Sequence, residues 1–300
     1  MLKNKGELAL LVVTLIWGTT FIVTKLGLGE MPPFSYLAIR FTIAALVLGV
    51  IFWREIKALP AGGWWAGIKL GLVLGAGFVL QTLGLLSTTA SKSAFITGLA
   101  VVLTPVVAFF LYGQKPSRAV WLGSLLAFTG LALLSWSPEL VQGEFNRGDV
   151  LTLLCAIAFA LHIVLVSRYA GRYPTGPFTW LQLLVIGLGC WLFSWWTGES
   201  WLMAGKATWL GLLYMGVIAT GLVLFLQNWG QRFTSAQRAA IIFTLEPVFT
   251  AVFAFVFLRE TPTLQLWLGG TLILAGILYS EIGDQRIKSR ELEIMEANDG

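Results

Sequence analysis

The sequence has 300 residues, 57% hydrophobic and 12% charged, with a mean hydropathy of +0.81 and a formal net charge of +5. A soluble domain carries about 25% charged residues, so this composition excludes a water-soluble globule and leaves a chain whose solvent is the interior of a bilayer. The positive excess is scattered and forms no basic stripe, which removes nucleic acid as a partner.

Runs of about 20 apolar residues match the hydrocarbon core of a membrane, roughly 30 Å thick. Ten such segments follow one another, at 7–28, 33–53, 64–86, 91–112, 118–136, 149–169, 177–197, 208–230, 236–258 and 264–282. The first, in MLKNKGELALLVV, is too long for the apolar region of a leader and has no small-residue cleavage site, so it is expected to be a helix. Prolines 32, 33, 60, 116, 138, 174, 177 and 262 fall in or beside the gaps, where a missing N–H costs least. No period-two alternation occurs, so the segments are helices and not barrel strands. Cys155 and Cys190 lie inside segments 6 and 7 and read as small apolar fillers. Ten tryptophans, among them Trp53, Trp65, Trp136, Trp195 and Trp267, sit near segment ends, as an interfacial belt requires. The closing EIGDQRIKSRELEIMEANDG has soluble composition and is expected to be a frayed extension.

Orientation follows from the basic residues. Of the 20 Lys and Arg, Arg40 and Lys69 lie within segments, thirteen flank the side that carries the N-terminus, and five flank the other. By the positive-inside rule both termini are expected in the cytoplasm.

The chain also matches itself. Shifted by 146, QTLGLLSTTASKSAF falls on QNWGQRFTSAQRAAI, pairing Gln81 with Gln227, Gly84 with Gly230, Thr88 with Thr234 and Lys92 with Arg238. The same shift sets WLGSLLAFTG on WLGGTLILAG, so that Gly123 meets Gly269 and Gly130 meets Gly276. A shift of 142 aligns GELALLVV with GDVLTLLC, and one of 144 aligns PFS at 33 with PFT at 177. Each repeat holds five segments, and five is odd, so the second copy enters the membrane from the opposite side. The expected architecture is an all-α polytopic protein of two inverted repeats, 1–142 and 143–283, followed by a cytoplasmic tail at 284–300. Inverted halves are a common plan for secondary transporters with one midplane site.

Polar groups inside a bilayer cost about 2.5–3.5 kcal/mol each on insertion scales, so they face a cavity or a partner. Glu246 precedes Pro247, whose missing N–H leaves a carbonyl unpaired one turn back; the acid either binds a cation, a proton or a substrate ammonium, or holds helices together. His162 and Thr20 are equally deep and pair through the shift of 142, which would place them on opposite walls of one cavity; His162 could equally be polar glue between helices. Trp17, about one turn before Thr20, either lines that cavity or packs as core. Gln81 and Gln227 either line it or bond across helices. Arg40 and Lys25, near the outer ends of their segments, either snorkel to the interface or clamp an anion at the cavity mouth. Pro105 and Pro247 are expected at similar depth in segments 4 and 9, as two bending points. Trp17, Thr20, Gln81, His162, Gln227 and Glu246 are thus the candidate substrate-binding residues, with Pro105 and Pro247 as hinges. No catalytic residue, metal site or cofactor is assigned.

LIWGTTFIVTKLGL followed by PPFSYLAIRF resembles the opening of the drug/metabolite transporter superfamily, EamA type, and TSAQRAAIIFTLEPVFTAVFAFVFLRETPT resembles the matching element of its second half. The resemblance spans residues 7–282. It implies ten helices, a multi-pass protein of the plasma (inner) membrane with both termini cytoplasmic, and a cavity lined by segments 1, 3, 4, 6, 8 and 9. It further implies export of small metabolites or drugs, amino acids among them, with protons as a candidate coupling ion. By motif, Trp17 and Thr20 fall on the family's first cavity helix and Glu246-Pro247 on its ninth. An intramembrane enzyme is disfavoured, since Glu246 and His162 come from different segments with no motif spacing. A primary pump lacks its phosphate loop. A passive facilitator of the same solutes remains the alternative, and the oligomeric state is left open.

Overall fold

The computed structural model describes residues 2–136, 146–200, 204–249, 252–253 and 264–298, with side chains placed as far as residue 283. Pro138, Pro262 and residues 254–258 of the ninth segment lie outside the described residues. Among the described residues the chain is all-α and polytopic, its helices arranged as two inverted repeats. Seven of the described helices are long and apolar enough to cross a bilayer; Arg118–Leu133 and Trp267–Ser280 are shorter apolar helices.

Crossing α1 comprises Leu2–Trp17 and Thr20–Leu28. α2 is Pro33–Ile51, α3 Ala61–Leu85, α4 Ala90–Gly98 with Ala100–Tyr112, and α5 Arg118–Leu134. α6 is Arg147–Tyr169 and α7 Thr175–Thr197; α8 runs Lys206–Gly216, through a π-helical stretch Val217–Leu222, to Val223–Gly230. α9 begins at Ala236–Phe243 and α10 is Leu264–Asn298. The last helix therefore runs on through the segment expected to fray.

Local chemistry sets these limits. Pro32, Pro60 and Pro174 are the N-caps of α2, α3 and α7, and Pro33 follows at a first-turn position whose N–H has no helical partner in any case. Thr89, Ser117 and Ser235 accept a bond from the backbone N–H three residues on, and Asn146 forms a capping box with Asp149. Gly113 and Gly198 end α4 and α7 in the left-handed region, at φ 64° and 67°.

The halves are related by inversion. A Cβ on Gly123 of α5 would lie 2.7 Å from the Gly276 carbonyl oxygen of α10, and one on Gly130 would lie 2.5 Å from that of Gly269. Residue numbers climb on one helix as they fall on the other, so α5 and α10 pack antiparallel, and they are repeat mates. α1 meets α8 through Gly6 and Gly230, as α6 meets α3 through Gly148 and Gly84. Such approaches let backbones touch where lipid offers no hydrophobic drive for helix association. Outward faces remain apolar, with Leu46, Leu72, Phe110, Leu188, Trp195 and Trp267 exposed to the lipid.

One alignment of the sequence is corrected. α2 starts behind Pro32 and α7 behind Pro174, a shift of 142 and not the 144 that PFS and PFT suggest. Glycine contacts repeat at 142 as well: Gly71 approaches Gln182 and Val185, as Gly216 approaches Arg40 and Ile43. Arg40 and Gln182 are therefore counterparts. The glycine pairs also show that the repeat offset grows from 145 (Gly71 to Gly216) to 146 (Gly75 to Gly221) across the π stretch of α8. A π turn accommodates that one inserted residue.

Candidate functional site

Between the halves lies a cavity walled by α1, α2, α3, α4, α6, α8 and α9, together with Leu131 of α5. Three of these crossings are interrupted beside it: α1 at Gly18–Thr19, α4 at Leu99, and α9 at Thr244–Leu245. The breaks in α4 and α9 coincide through the shift of 146, which sets Leu99 on Leu245. The prolines do not coincide. Pro105 lies buried within the second part of α4, away from the cavity wall, whereas Pro247 lines the cavity two residues beyond the break in α9.

Trp17, Thr20, Gln81, His162, Gln227 and Glu246 all line this one cavity. The break in α1 sets Trp17 and Thr20 there: the Thr20 hydroxyl donates to the Trp17 carbonyl at 2.9 Å, and the Trp17 ring packs 5.5 Å from that of Phe243. Gln81 Nε2 donates to Thr97 Oγ1 at 3.4 Å, across to α4. Gln182 donates its Nε2 to the Phe178 carbonyl, so its Oε1 faces His162 and accepts from Nε2 at 2.9 Å. His162 is thus bonded to a neighbouring helix and set on the cavity wall at once. Gln231 is fixed by donating to the Ile163 carbonyl and Ser167 hydroxyl, and its Oε1 accepts from Gln227 Nε2 at 3.2 Å. That leaves Gln227 Oε1 buried with no hydrogen-bond partner among the described residues.

The sequence left Arg40 between two accounts, and the structure removes snorkelling: Arg40 is 4% exposed and lines the cavity. Its Nε donates to Thr220 Oγ1 of the π stretch at 2.6 Å, and its guanidinium carbon stands 5.1 Å from the Phe78 ring centroid. Lys25 is exposed. The wall also holds Thr24, Phe78, Thr82, Thr97 and Phe159, which sequence reasoning did not select because apolar and hydroxyl side chains are common on every helix face.

An ion pair stands near each end. Lys92 Nζ and Asp149 Oδ2 are 2.6 Å apart, joining the starts of α4 and α6; Asp149 is fully buried and accepts from the Thr88 hydroxyl at 2.7 Å and from the Asn146 N–H at 2.9 Å. Arg238 Nη1 and Glu7 Oε1, joining the starts of α9 and α1, are 4.0 Å apart. Shifts of 146 and 142 map one pair onto the other. Among the described residues no group of three or more His, Cys, Asp or Glu could hold a metal ion.

Two inverted helical halves around an amphipathic cavity, with related ion pairs at its ends, define a multi-pass membrane transporter. The EamA-like transporter family matches the chain twice, over residues 4–136 and 146–281, and the chain belongs to that family. It is 34% identical to an uncharacterized transporter of Archaeoglobus fulgidus over 91% of this chain and 84% of that one. It is also similar to a probable biotin transporter of Pseudomonas aeruginosa, at 26% identity over 93% and 99% of the two chains. A probable amino-acid metabolite efflux pump of Salmonella typhimurium is 28% identical over 94% and 96%.

Proposed function

We propose that the protein is a secondary exporter of small metabolites, amino acids with aromatic ones included or related amphipathic compounds, working by alternating access at the central cavity. Trp17, Thr20, Gln81, His162, Gln227 and Glu246 form the solute site, and the breaks of α4 and α9 with Pro105 and Pro247 are the bending points. Residues 1–142 and 143–283 are the two moving halves, and 284–300 with the N-terminus lie on the cytoplasmic side.

The observation that carries this reading is the inequality of the two related ion pairs. Lys92–Asp149 is short and fully bonded, while Arg238–Glu7 is stretched to 4.0 Å. Halves that can exchange conformations would tighten the second pair as they loosen the first, opening the cavity to one side and then the other. A chain with such a relation needs no nucleotide and no chemistry on its solute. The amino-acid class draws support from aromatic and polar cavity walls and from the name of the Salmonella relative.

Counterflow in proteoliposomes tests the reading. Vesicles loaded with unlabelled phenylalanine should accumulate the labelled amino acid, and an imposed pH gradient should drive net movement that Glu246→Gln abolishes while exchange persists. Exchange indifferent to the gradient and to Glu246→Gln would make the protein a passive facilitator. Exchange of no amino acid or amphipathic metabolite would contradict the proposal.

A further inference from the structure

We infer that Arg40 is the anion-binding group of the cavity and that the solute held there carries a carboxylate. The inference rests on the reading of the cavity as the solute site. Arg40 projects into the wall from α2, buried, with the Phe78 ring 5.1 Å and the Phe41 ring 5.6 Å from its guanidinium carbon. Thr220 takes one of its five N–H donors. Among the described residues no carboxylate stands within ion-pair distance of it. A guanidinium kept in a low-dielectric interior without a counter-ion is unfavourable, and it persists where something of opposite charge can be received.

The inverted repeat supplies an internal control. The counterpart of Arg40 is Gln182, which is neutral, has both ends of its amide bonded to His162 and the Phe178 carbonyl, and is not part of the cavity wall. The helix packing at this position therefore works with no charge, so the positive charge of Arg40 answers to something other than the scaffold. Thr220 shows the same asymmetry. Its mate in α3 is Leu74, and the inserted residue that makes the π stretch carries the Thr220 hydroxyl to Arg40. The departure from the regular helix thus falls where Thr220 meets the guanidinium.

The charge balance narrows the anion. Arg40 is the single Lys or Arg among the described wall residues and Glu246 the single acid, so with the His162 imidazole neutral the wall offers at most one net positive charge. That suits a monoanionic carboxylate, which a guanidinium fork can bind through two parallel N–H bonds, better than a phosphate dianion. Trp17, Phe21, Phe159 and Phe243 on the same cavity wall suit an apolar or aromatic body on the same molecule.

Four phenyl compounds separate the possibilities: phenylalanine, 3-phenylpropionate, phenethylamine and phenyl phosphate. Binding is read as ligand-induced rise in unfolding temperature of the purified full chain in nanodiscs, and transport as exchange in proteoliposomes. The two carboxylates should bind and phenethylamine should not. Arg40→Gln, which installs the residue the mirrored half already carries, should weaken carboxylate binding by about tenfold or more, and Arg40→Lys should do so less completely. Should Arg40→Gln not fold, the comparison among the four ligands on the unsubstituted protein still decides. Equal binding of phenethylamine, tighter binding of phenyl phosphate, unchanged carboxylate affinity in a folded Arg40→Gln protein, or no carboxylate binding at all would each overturn the inference. Arg40-dependent binding without exchange leaves this inference standing and sinks the transport reading. Exchange of phenethylamine alone does the reverse.

Discussion

Asp149 and Glu7 occupy equivalent places in the two halves, yet their surroundings assign them different energies. Asp149 is fully buried against Lys92, whereas the Glu7 side chain is 25% exposed and its nearest Arg238 nitrogen is 4.0 Å away. Removing one partner of a buried pair strands the other, at a cost on the order of 3 kcal/mol, while an ion-pair contact as long as 4.0 Å with its carboxylate partly exposed contributes about 1 kcal/mol or less. Asp149→Asn is therefore expected to lower the unfolding temperature clearly more than Glu7→Gln, measured by intrinsic fluorescence in nanodiscs; equal shifts would show that the two pairs are energetically alike. Glu30 gives a pH signature outside the membrane. Thr208 and then the Gly205 N–H bond its carboxylate, at 2.7 and 2.8 Å, and hold its pKa below the ordinary glutamate value. A folded pKa below the unfolded one means that this stabilisation is complete above the unfolded value and is lost as pH falls through the folded one. Glu30→Gln should thus reduce the loss of stability on acidification, in unfolding curves taken from neutral pH downward. At this scale the sequence was informative where a polar residue stood out against apolar neighbours, which is how Thr20, Gln81, His162, Gln227 and Glu246 were selected; Trp17 was selected for its depth, about one turn from Thr20. Arg40 was left undecided because depth along a helix does not reveal which way a side chain turns.

Repeated glycines and broken helices are the features of the elements that matter to motion. Gly123 and Gly130 bring α5 against α10 backbone to backbone, and a Cβ at either would meet a carbonyl oxygen at 2.7 or 2.5 Å. Gly123→Val is expected to destabilise by about 1–3 kcal/mol through overpacking, whereas Gly171→Ala, where an added Cβ meets nothing within 4 Å, should change little; thermal unfolding of the two variants side by side checks the contrast. Pro105 lies six residues and Pro247 two residues beyond breaks that the repeat places at the same point. Substituting either by Ala should alter exchange rate more than the yield of folded protein, and equal loss of both would contradict a bending role. Helix existence was legible in the sequence because twenty apolar residues in succession have few other uses. The interruptions at Gly18–Thr19, Leu99 and Thr244–Leu245 were not, since nothing but the Glu-Pro pair marks them and Leu99 sits in an unbroken apolar run. The π stretch is visible only as a one-residue slip between Gly71–Gly75 and Gly216–Gly221, which the sequence match alone did not resolve.

At the scale of the whole molecule, an odd number of crossings per repeat turns a sequence match into a mechanism. Antiparallel mates build one cavity from two copies of the same surface, and departures from symmetry, Arg40 against Gln182 and Thr220 against Leu74, mark where the copies have diverged for a solute. The most direct test of the inversion is sided labelling of repeat mates. With Cys155 and Cys190 replaced by Ala, single cysteines at Leu86 and Arg232, which are exposed at the ends of α3 and α8, are offered an impermeant thiol reagent in sealed vesicles of uniform orientation. The account requires that one be labelled in intact vesicles and the other only after the membrane is opened. Labelling of both from the same compartment would contradict it.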